Sequence, residues 1–585
     1  MKQFLKFTFA SILGVVLAFA IFFLIMISVV GAISSTEEQY KLKENSLLKI
    51  SLEGTIVEQS VDNPFDFAIP GMPVQPNIHK QGLDDILSAI KKAKTNEMIK
   101  GIYIESGALN AGFASVEEIR DALEDFKKSG KYIISYGDNY DKREYFVASI
   151  ADKVFINPSG LMNIGGLVST PIFFTETLEK LGVKVEIFKV GTFKSAVEPY
   201  FLKKMSEESR LQTTEYINGI WNHLLVKIST SRNISVEELN RISDINTLFE
   251  PTENFLTYKL VDSLLYKSEV NEYLADLHKI EKVKDLNFVS VSDMITIPDN
   301  KEKYDQDKIA VLYAEGQIYD NGTEGIVTKK IIEEIEKIKE DDKIKAVVLR
   351  VNSPGGSAYA SEQIWKALDD LKKSRPIVVS MGDLAASGGY YISCNANKII
   401  TTPNTLTGSI GIFGTFFIVD EMTKKLGLNF DVVKTNKMSD IGNITRPMND
   451  MEKAKIQNYV NSGYELFVKR CAEGRKMKPE DLKKIAEGRV WTGAKAVELG
   501  LADELGGLDH AIKVAAKLAE TNNYRMVYYP EKKDFMTVLM EELSGDVSMR
   551  IALKVLGDEY APMLKLKAGN IQSGVLAKMD DIIIK

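Results

Sequence analysis

Three short segments hold residue types with which a chain can do covalent chemistry. Asp383-Leu384-Ala385-Ala386-Ser387-Gly388-Gly389-Tyr390 sets a serine between an apolar run and a stretch that reads as a helix start. A serine there sees the positive end of a helix dipole. The two glycines behind it permit the close backbone approach that an oxyanion hole needs. Asn352-Ser353-Pro354-Gly355-Gly356-Ser357 follows another apolar run, and glycines in such a place let the backbone take positive φ and turn N–H groups toward a ligand. Gly191-Thr192-Phe193-Lys194-Ser195-Ala196 supplies a lysine whose neighbours Phe193 and Ala196 are compatible with burial. Taken singly, each has an ordinary reading: Ser387 as an N-cap, the glycine run as a tight strand-to-helix turn, Lys194 as a solvated surface residue.

A serine hydroxyl is a weak nucleophile and needs a base. The four histidines, His79, His223, His278 and His510, fall in no triad-like motif and no metal-ligand spacing, so neither a histidine base nor a metal is expected. Serine with lysine is an established variant of the triad logic. The lysine must then be neutral. Moving its pKa from about 10.4 to about 7 costs roughly 4–5 kcal/mol, and desolvation shifts a lysine in that direction.

The elements that must position these residues are written twice. An offset of 245 places Ile102-Tyr103-Ile104 on Val347-Val348-Leu349, Lys127-Lys128-Ser129 on Lys372-Lys373-Ser374, Gly137-Asp138 on Gly382-Asp383, and Leu181-Gly182 on Leu426-Gly427, with no gap from Lys100 to Ser195. Weaker matches flank this block, at an offset of 262 for Glu53-Gly54 and 241 for Leu260-Val261-Asp262. Under the same offset Ser387 falls on Lys142 and Lys194 falls on Ser439. Each half therefore lacks what the other holds, as expected of two diverged copies that contribute one member each to a dyad. In the second half, residues 308–314, 346–352, 377–381 and 398–401 are β-branched runs bounded by turn residues, which predicts strands. Residues 328–339 and 361–373 carry apolar residues at helical spacing, with Ile364, Ala367, Leu368 and Leu371 on one face. Alternating strands and helices imply parallel pairing and an α/β class.

The boundaries follow: residues 1–45 for a cytoplasmic tip, an anchor and a short linker, 46–291 and 307–532 for the two repeats, 292–306 between them, and 533–585 as a C-terminal extension. No charge occurs between Lys6 and Glu37, and residues 7–33 are almost wholly apolar. That is longer than the h-region of a cleaved signal peptide and long enough to span a bilayer. Lys2 and Lys6 precede the run and Glu37 and Glu38 follow it, which places the N-terminus inside and the bulk of the chain outside the cytoplasmic membrane. Residues 61–77, rich in proline with Phe65, Phe67, Ile69 and Met72, read as a surface loop, or as an apolar patch toward membrane or substrate. Apolar residues within 549–556 fit a packing helix. The net charge of −7, with no basic stripe, gives no sign of nucleic-acid binding. Cys394 and Cys471 form no CxxC motif and read as buried thiols, with a disulfide left open.

Gly191 to Pro199, Asn352 to Gly356, Ala386 to Tyr390, Thr407-Gly408-Ser409-Ile410-Gly411-Ile412-Phe413-Gly414, Arg489 to Gly493 and Glu498 to Asp503 together resemble the long, double-domain form of signal peptide peptidase A (protease IV). The resemblance runs from the anchor to about residue 530. It implies tandem domains of the ClpP/crotonase type, Ser387 as nucleophile, Lys194 as general base, and Ser409 as the serine that orients that lysine. It implies an oxyanion hole from the N–H of Gly388 and that of Gly355 or Gly356. It further implies no cofactor, a homotetramer on the bacterial cytoplasmic membrane, and remnant signal peptides and other apolar peptides as substrates. Two rivals share the fold: a crotonase-like acyl-CoA enzyme, which needs neither the anchor nor the split dyad, and a non-catalytic membrane scaffold, which would not keep both dyad members. Ser88-Ala89-Ile90-Lys91 matches SxxK, but it sits in a plain amphipathic helix with no companion motif.

Overall fold

The computed structural model describes residues 40–60, 80–298, 307–322, 324–532 and 574–579, with a few positions before residue 22. The expected anchor at 7–33, for the most part, and the segments 61–77 and 549–556 lie outside the described residues. Among the described residues no helix is long and apolar enough to cross a membrane.

The 245-residue offset aligns elements as well as letters. It carries helix Leu83–Thr95 onto Thr328–Glu340, helix Phe113–Lys127 onto Ala358–Lys372, and strand Tyr132–Asp141 onto Ile377–Ala386, end for end. The structural match therefore begins at Leu83, earlier than the Lys100 at which the letters first agree. Each half builds its own sheet. The first is parallel throughout, in the order Lys80–Gly82, Ser46–Val57, Ile99–Asn110, Tyr132–Asp141, Lys153–Asn163, Ser263–Leu264, with Asn287–Val289 beside Ser46–Val57. The second runs Val490–Thr492, Leu406–Gly408, Ile377–Ala386, Ile344–Ser353, Asp307–Glu315, Tyr524–Tyr529. In it Lys398–Thr401 pairs with both Ile377–Ala386 and Glu504–Leu505, and only the Leu406–Gly408 to Val490–Thr492 pair is antiparallel.

Parallel strands are covered on both faces, so they must be apolar on both. Ile344–Ser353 meets this demand: every residue but Lys345 and Asn352 is buried. Val347, Leu349 and Val351 face one core, and Ala346 and Val348 face another with the helix Leu508–Leu518. Ala358–Lys372 starts at Ser357, whose hydroxyl caps Ala360 N at 3.2 Å. It buries Ile364, Leu368 and Leu371. Cys394 and Cys471 are both free and buried.

The halves are joined by polar contacts and by a third sheet. Arg350, on the face with Ala346 and Val348, is fully buried and lies 2.7 Å from Glu58 and 2.7 Å from Glu118. Burial pushes the Glu118 carboxyl up, while the two carboxylates keep Arg350 charged. Asp383 accepts from Ala114 N (2.8 Å), Ser115 N (3.1 Å) and Ser115 Oγ (2.6 Å). It thereby caps helix Phe113–Lys127, whose own N-cap, Gly112, has no side chain to do so. The third sheet pairs Lys184–Val190 of the first half antiparallel with Ile412–Ile418 of the second. Its full order is Ile326–Val327, Ile318–Tyr319, Gly355–Ser357, Gly574–Lys578, Ile412–Ile418, Lys184–Val190.

Candidate active site

Ser387 ends the strand Ile377–Ala386 and opens the helix Gly388–Ser393. Its φ of 56° and ψ of −112° are costly for a residue with a Cβ, and such strain persists only where the surroundings enforce it. Here they do. Ser387 N donates to Gly408 O at 2.8 Å, and its carbonyl receives Tyr391 N at 2.8 Å. The next residue, Gly388, lies so close to Ser361 Oγ that a Cβ would come within 2.7 Å of it. The side chain of Ser387 is therefore aimed by backbone contacts on both sides.

Lys194 arrives from the other half. It follows the strand Lys184–Val190 and precedes the 3₁₀ turn Ser195–Tyr200. Phe193 N donates to Glu487 O at 3.0 Å, and Gln212 Nε2 donates to Phe193 O at 3.0 Å. Arg489 stacks over Phe193 at 4.6 Å and over Trp491 at 4.2 Å. Gly488, with φ of 78°, packs on the lysine backbone so tightly that a Cβ would sit 2.7 Å from Lys194 Cβ. The result is a lysine only 1% exposed. Its Nζ lies 2.8 Å from Ser387 Oγ, 3.0 Å from Ser409 Oγ and 3.1 Å from Ser409 O, and 6.0 Å from the centre of the Phe413 ring. Burial of this kind disfavours the ammonium form of a lysine. Ser409 is held in turn at φ 49°, with its N donating to Arg489 O at 2.7 Å.

Ser387, Lys194 and Ser409 thus meet, 193 and 215 residues apart in sequence from the lysine. Gly388, Gly355 and Gly356 are buried as well. Gly355, at φ 93°, would carry its Cβ to within 2.5 Å of Gly388 N, which makes glycine obligatory there. Gly355 N donates to Ser353 Oγ at 3.1 Å. In the first half, the pocket of about 650 Å³ at the corresponding sheet end is lined by Ser106, Asp138, Tyr140 and Glu144 among others. Lys142, at the position matching Ser387, opens a helix capped by Asp141. Of Gly488, Gln212 and Asp383, only Asp383 lies in a motif that the sequence singles out. Gln212 sits in a long polar helix with nothing to mark it, yet its Nε2 holds Phe193 and its Oε1 receives Val490 N at 3.1 Å.

Known proteins share much of this sequence. A Clp protease family model matches residues 300–407. The chain is 35% identical to Protease 4 of Salmonella typhi over 500 residues, 83% of this chain and 80% of that one. It is 32% identical to Protease 4 of Haemophilus influenzae over 513 residues, 85% and 83% of the two chains. It is 29% identical to the protein named Serine protease SPPA, chloroplastic, of Arabidopsis thaliana over 558 residues, 93% and 79% of the two. Mostly parallel α/β repeats of the ClpP type and relatives of this kind define a serine peptidase. The model of peptidase family S49 matches residues 125–281 and 369–522, more than half of the sequence, and the chain belongs to that family.

Proposed function

We propose that the chain is a membrane-anchored endopeptidase that degrades signal peptides after export, with Ser387 as nucleophile, Lys194 as general base and Ser409 as the residue that orients it. The observation that carries this reading is the 2.8 Å contact between Lys194 Nζ and Ser387 Oγ, buried and assembled from both halves. Ser387 attacks the scissile carbonyl and Lys194 takes its proton. The N–H of Gly388, with Gly355 or Gly356 beside it, stabilises the oxyanion. Lys194 then protonates the leaving amine and draws a proton from the water that hydrolyses the acyl-enzyme.

Residues 46–291 supply the base and 307–532 the nucleophile, joined by 292–306. Residues 7–33 anchor the chain in the bacterial cytoplasmic membrane, with the catalytic repeats outside, as a homotetramer. Exposed Leu426, Leu428, Phe430 and Val433 offer apolar surface for such an assembly or for apolar peptides. The test is cleavage of a synthetic signal peptide by the detergent-solubilised chain. Ser387→Ala and Lys194→Ala are each expected to lose at least about 10³-fold in rate. Cleavage by Ser387→Ala at the wild-type rate would refute the assignment.

A further inference from the structure

The first half has a pocket where the second half has its dyad. The 245-residue offset takes Lys153–Asn163 onto Lys398–Thr401 and Leu406–Gly408, as it takes Tyr132–Asp141 onto Ile377–Ala386. The C-terminal ends of these first-half strands meet the pocket of about 650 Å³. Four glycines near the dyad have counterparts with side chains here: Asn110 stands for Gly355, Arg143 for Gly388, Glu144 for Gly389 and Asn163 for Gly408. Asn110, Glu144 and Asn163 line the pocket. Lys142, in the place of Ser387, instead lines a small apolar crevice with Trp221 and Leu224. A backbone surface suited to a carbonyl is thus replaced by a side-chain surface of carboxylates and amides.

That surface suits a cation on an apolar stem. Asp138, Asp141 and Glu144 line the pocket, and among the described residues no lysine or arginine does. Arg143 lies over the Phe113 ring at 4.6 Å and comes within 3.9 Å of Asp141. The carboxylates are held in place, Glu144 by Leu109 N and Asp141 N, and Asp138 by Tyr136 Oη at 2.6 Å and Asn157 Nδ2 at 2.9 Å. Each keeps room for a further donor, since a carboxylate offers about four acceptor sites. Burial pushes the Glu144 carboxyl up to about 7, and a cation in the pocket would favour its charged form. Ser106 also lines the pocket. It is 8% exposed, and its Oγ makes no hydrogen bond of normal geometry. A buried hydroxyl in that state calls for a partner, which an N–H of a ligand can supply. Leu109, Leu161 and Leu248 complete the wall, where the methylene stem of a lysine or arginine can pack.

We propose that this pocket binds a lysine or arginine side chain of the peptide substrate. The inference rests on the signal-peptide reading, because such peptides carry a positively charged segment ahead of their apolar run. The first half holds the basic end, and the second half cuts within the apolar stretch. No bond is made or broken in the pocket itself. One repeat performs the chemistry, and its copy uses the matching cleft to hold the substrate.

Binding to the detergent-solubilised full chain carrying Ser387→Ala tests this, read by fluorescence anisotropy. The probes are a labelled synthetic signal peptide with lysines in its N-terminal segment and the same peptide with glutamines in their place. The lysine peptide is expected to bind at least about tenfold more tightly. Adding Asp138→Asn is expected to lower that ratio at least about threefold, with the thermal midpoint reporting that the variant is folded. Carbodiimide coupling of the bound peptide's amines to carboxylates, located by mass spectrometry, reads the site without altering the pocket, and the amide is expected at Asp138, Asp141 or Glu144. Equal binding of the two peptides, or coupling only to other carboxylates, would overturn the inference. So would an unchanged ratio in folded Asp138→Asn. Cleavage of both peptides by the wild type would then leave the peptidase reading standing. Conversely, lysine-dependent binding and coupling in the pocket, with neither peptide cut by the wild type, would uphold the pocket and overturn the signal-peptide reading.

Discussion

At the scale of single residues, the site depends on two serines held at positive φ and a lysine that the interior surrounds. Ser409 Oγ at 3.0 Å from Lys194 Nζ fixes where the lysine points. Losing a hydrogen bond of this type typically costs about 1.5–3 kcal/mol, so Ser409→Ala is expected to lower kcat about 10- to 100-fold with KM little changed. An unchanged kcat would remove Ser409 from the account. The base role also fixes a sign for pH. A protonated lysine cannot accept a proton, so activity is expected to fall as the solution is acidified, and a profile flat to pH 5 would contradict it. Ser387 and Lys194 could be singled out as a candidate pair because the repeat shows each half missing one of them, and the fold brings the two side chains to 2.8 Å. Gly488 and Gln212 could not. They act through backbone contacts made across nearly 300 residues of chain, as between Gln212 and Val490, and no local spacing records these.

At the scale of elements, the strand Lys398–Thr401 has the bounds its β-branched run predicts. The strand ending near Met381 by composition continues to Ala386. Gly382 and Asp383 look like a turn, but pairing of Leu384 with Leu406 carries the ladder through them. The helix expected from 361 begins at Ala358 because Ser357, at the end of the glycine run, supplies the cap. The cap on Phe113–Lys127 comes from Asp383 in the other half, a role that composition does not reveal. Loss of a capping side chain typically costs about 1–2 kcal/mol. Asp383→Ala is expected to destabilise the chain by about that much, read as a lower midpoint in urea, and an unchanged midpoint would mean that the cap contributes nothing.

At the scale of the whole molecule, the two halves form one unit whose interface is polar as well as apolar, and stability should carry the mark of buried carboxyls. Glu144 accepts from Leu109 N at 3.0 Å and Asp141 N at 2.9 Å, and burial pushes its carboxyl up to about 7. The folded chain then keeps a proton that the unfolded chain releases above about 4.3. The contribution is complete below that pH and is lost as pH rises through 7, by about 4 kcal/mol. Glu144→Gln is expected to flatten the fall in thermal stability between pH 5 and 8, and an unaltered fall would assign it to other groups. The tandem α/β plan was legible from the repeat. The third sheet was not, because its strands come from both halves and the tail, and their pairing joins segments more than 200 residues apart, as between Lys184–Val190 and Ile412–Ile418.

The most direct test of the split dyad is acylation of the full chain by a serine-reactive inhibitor, with the adduct located by peptide mass spectrometry. One adduct is expected in the wild type, on Ser387, with at least about a 10³-fold slower reaction in Lys194→Ala. An adduct on another serine, or labelling of Lys194→Ala at the wild-type rate, would contradict the split dyad.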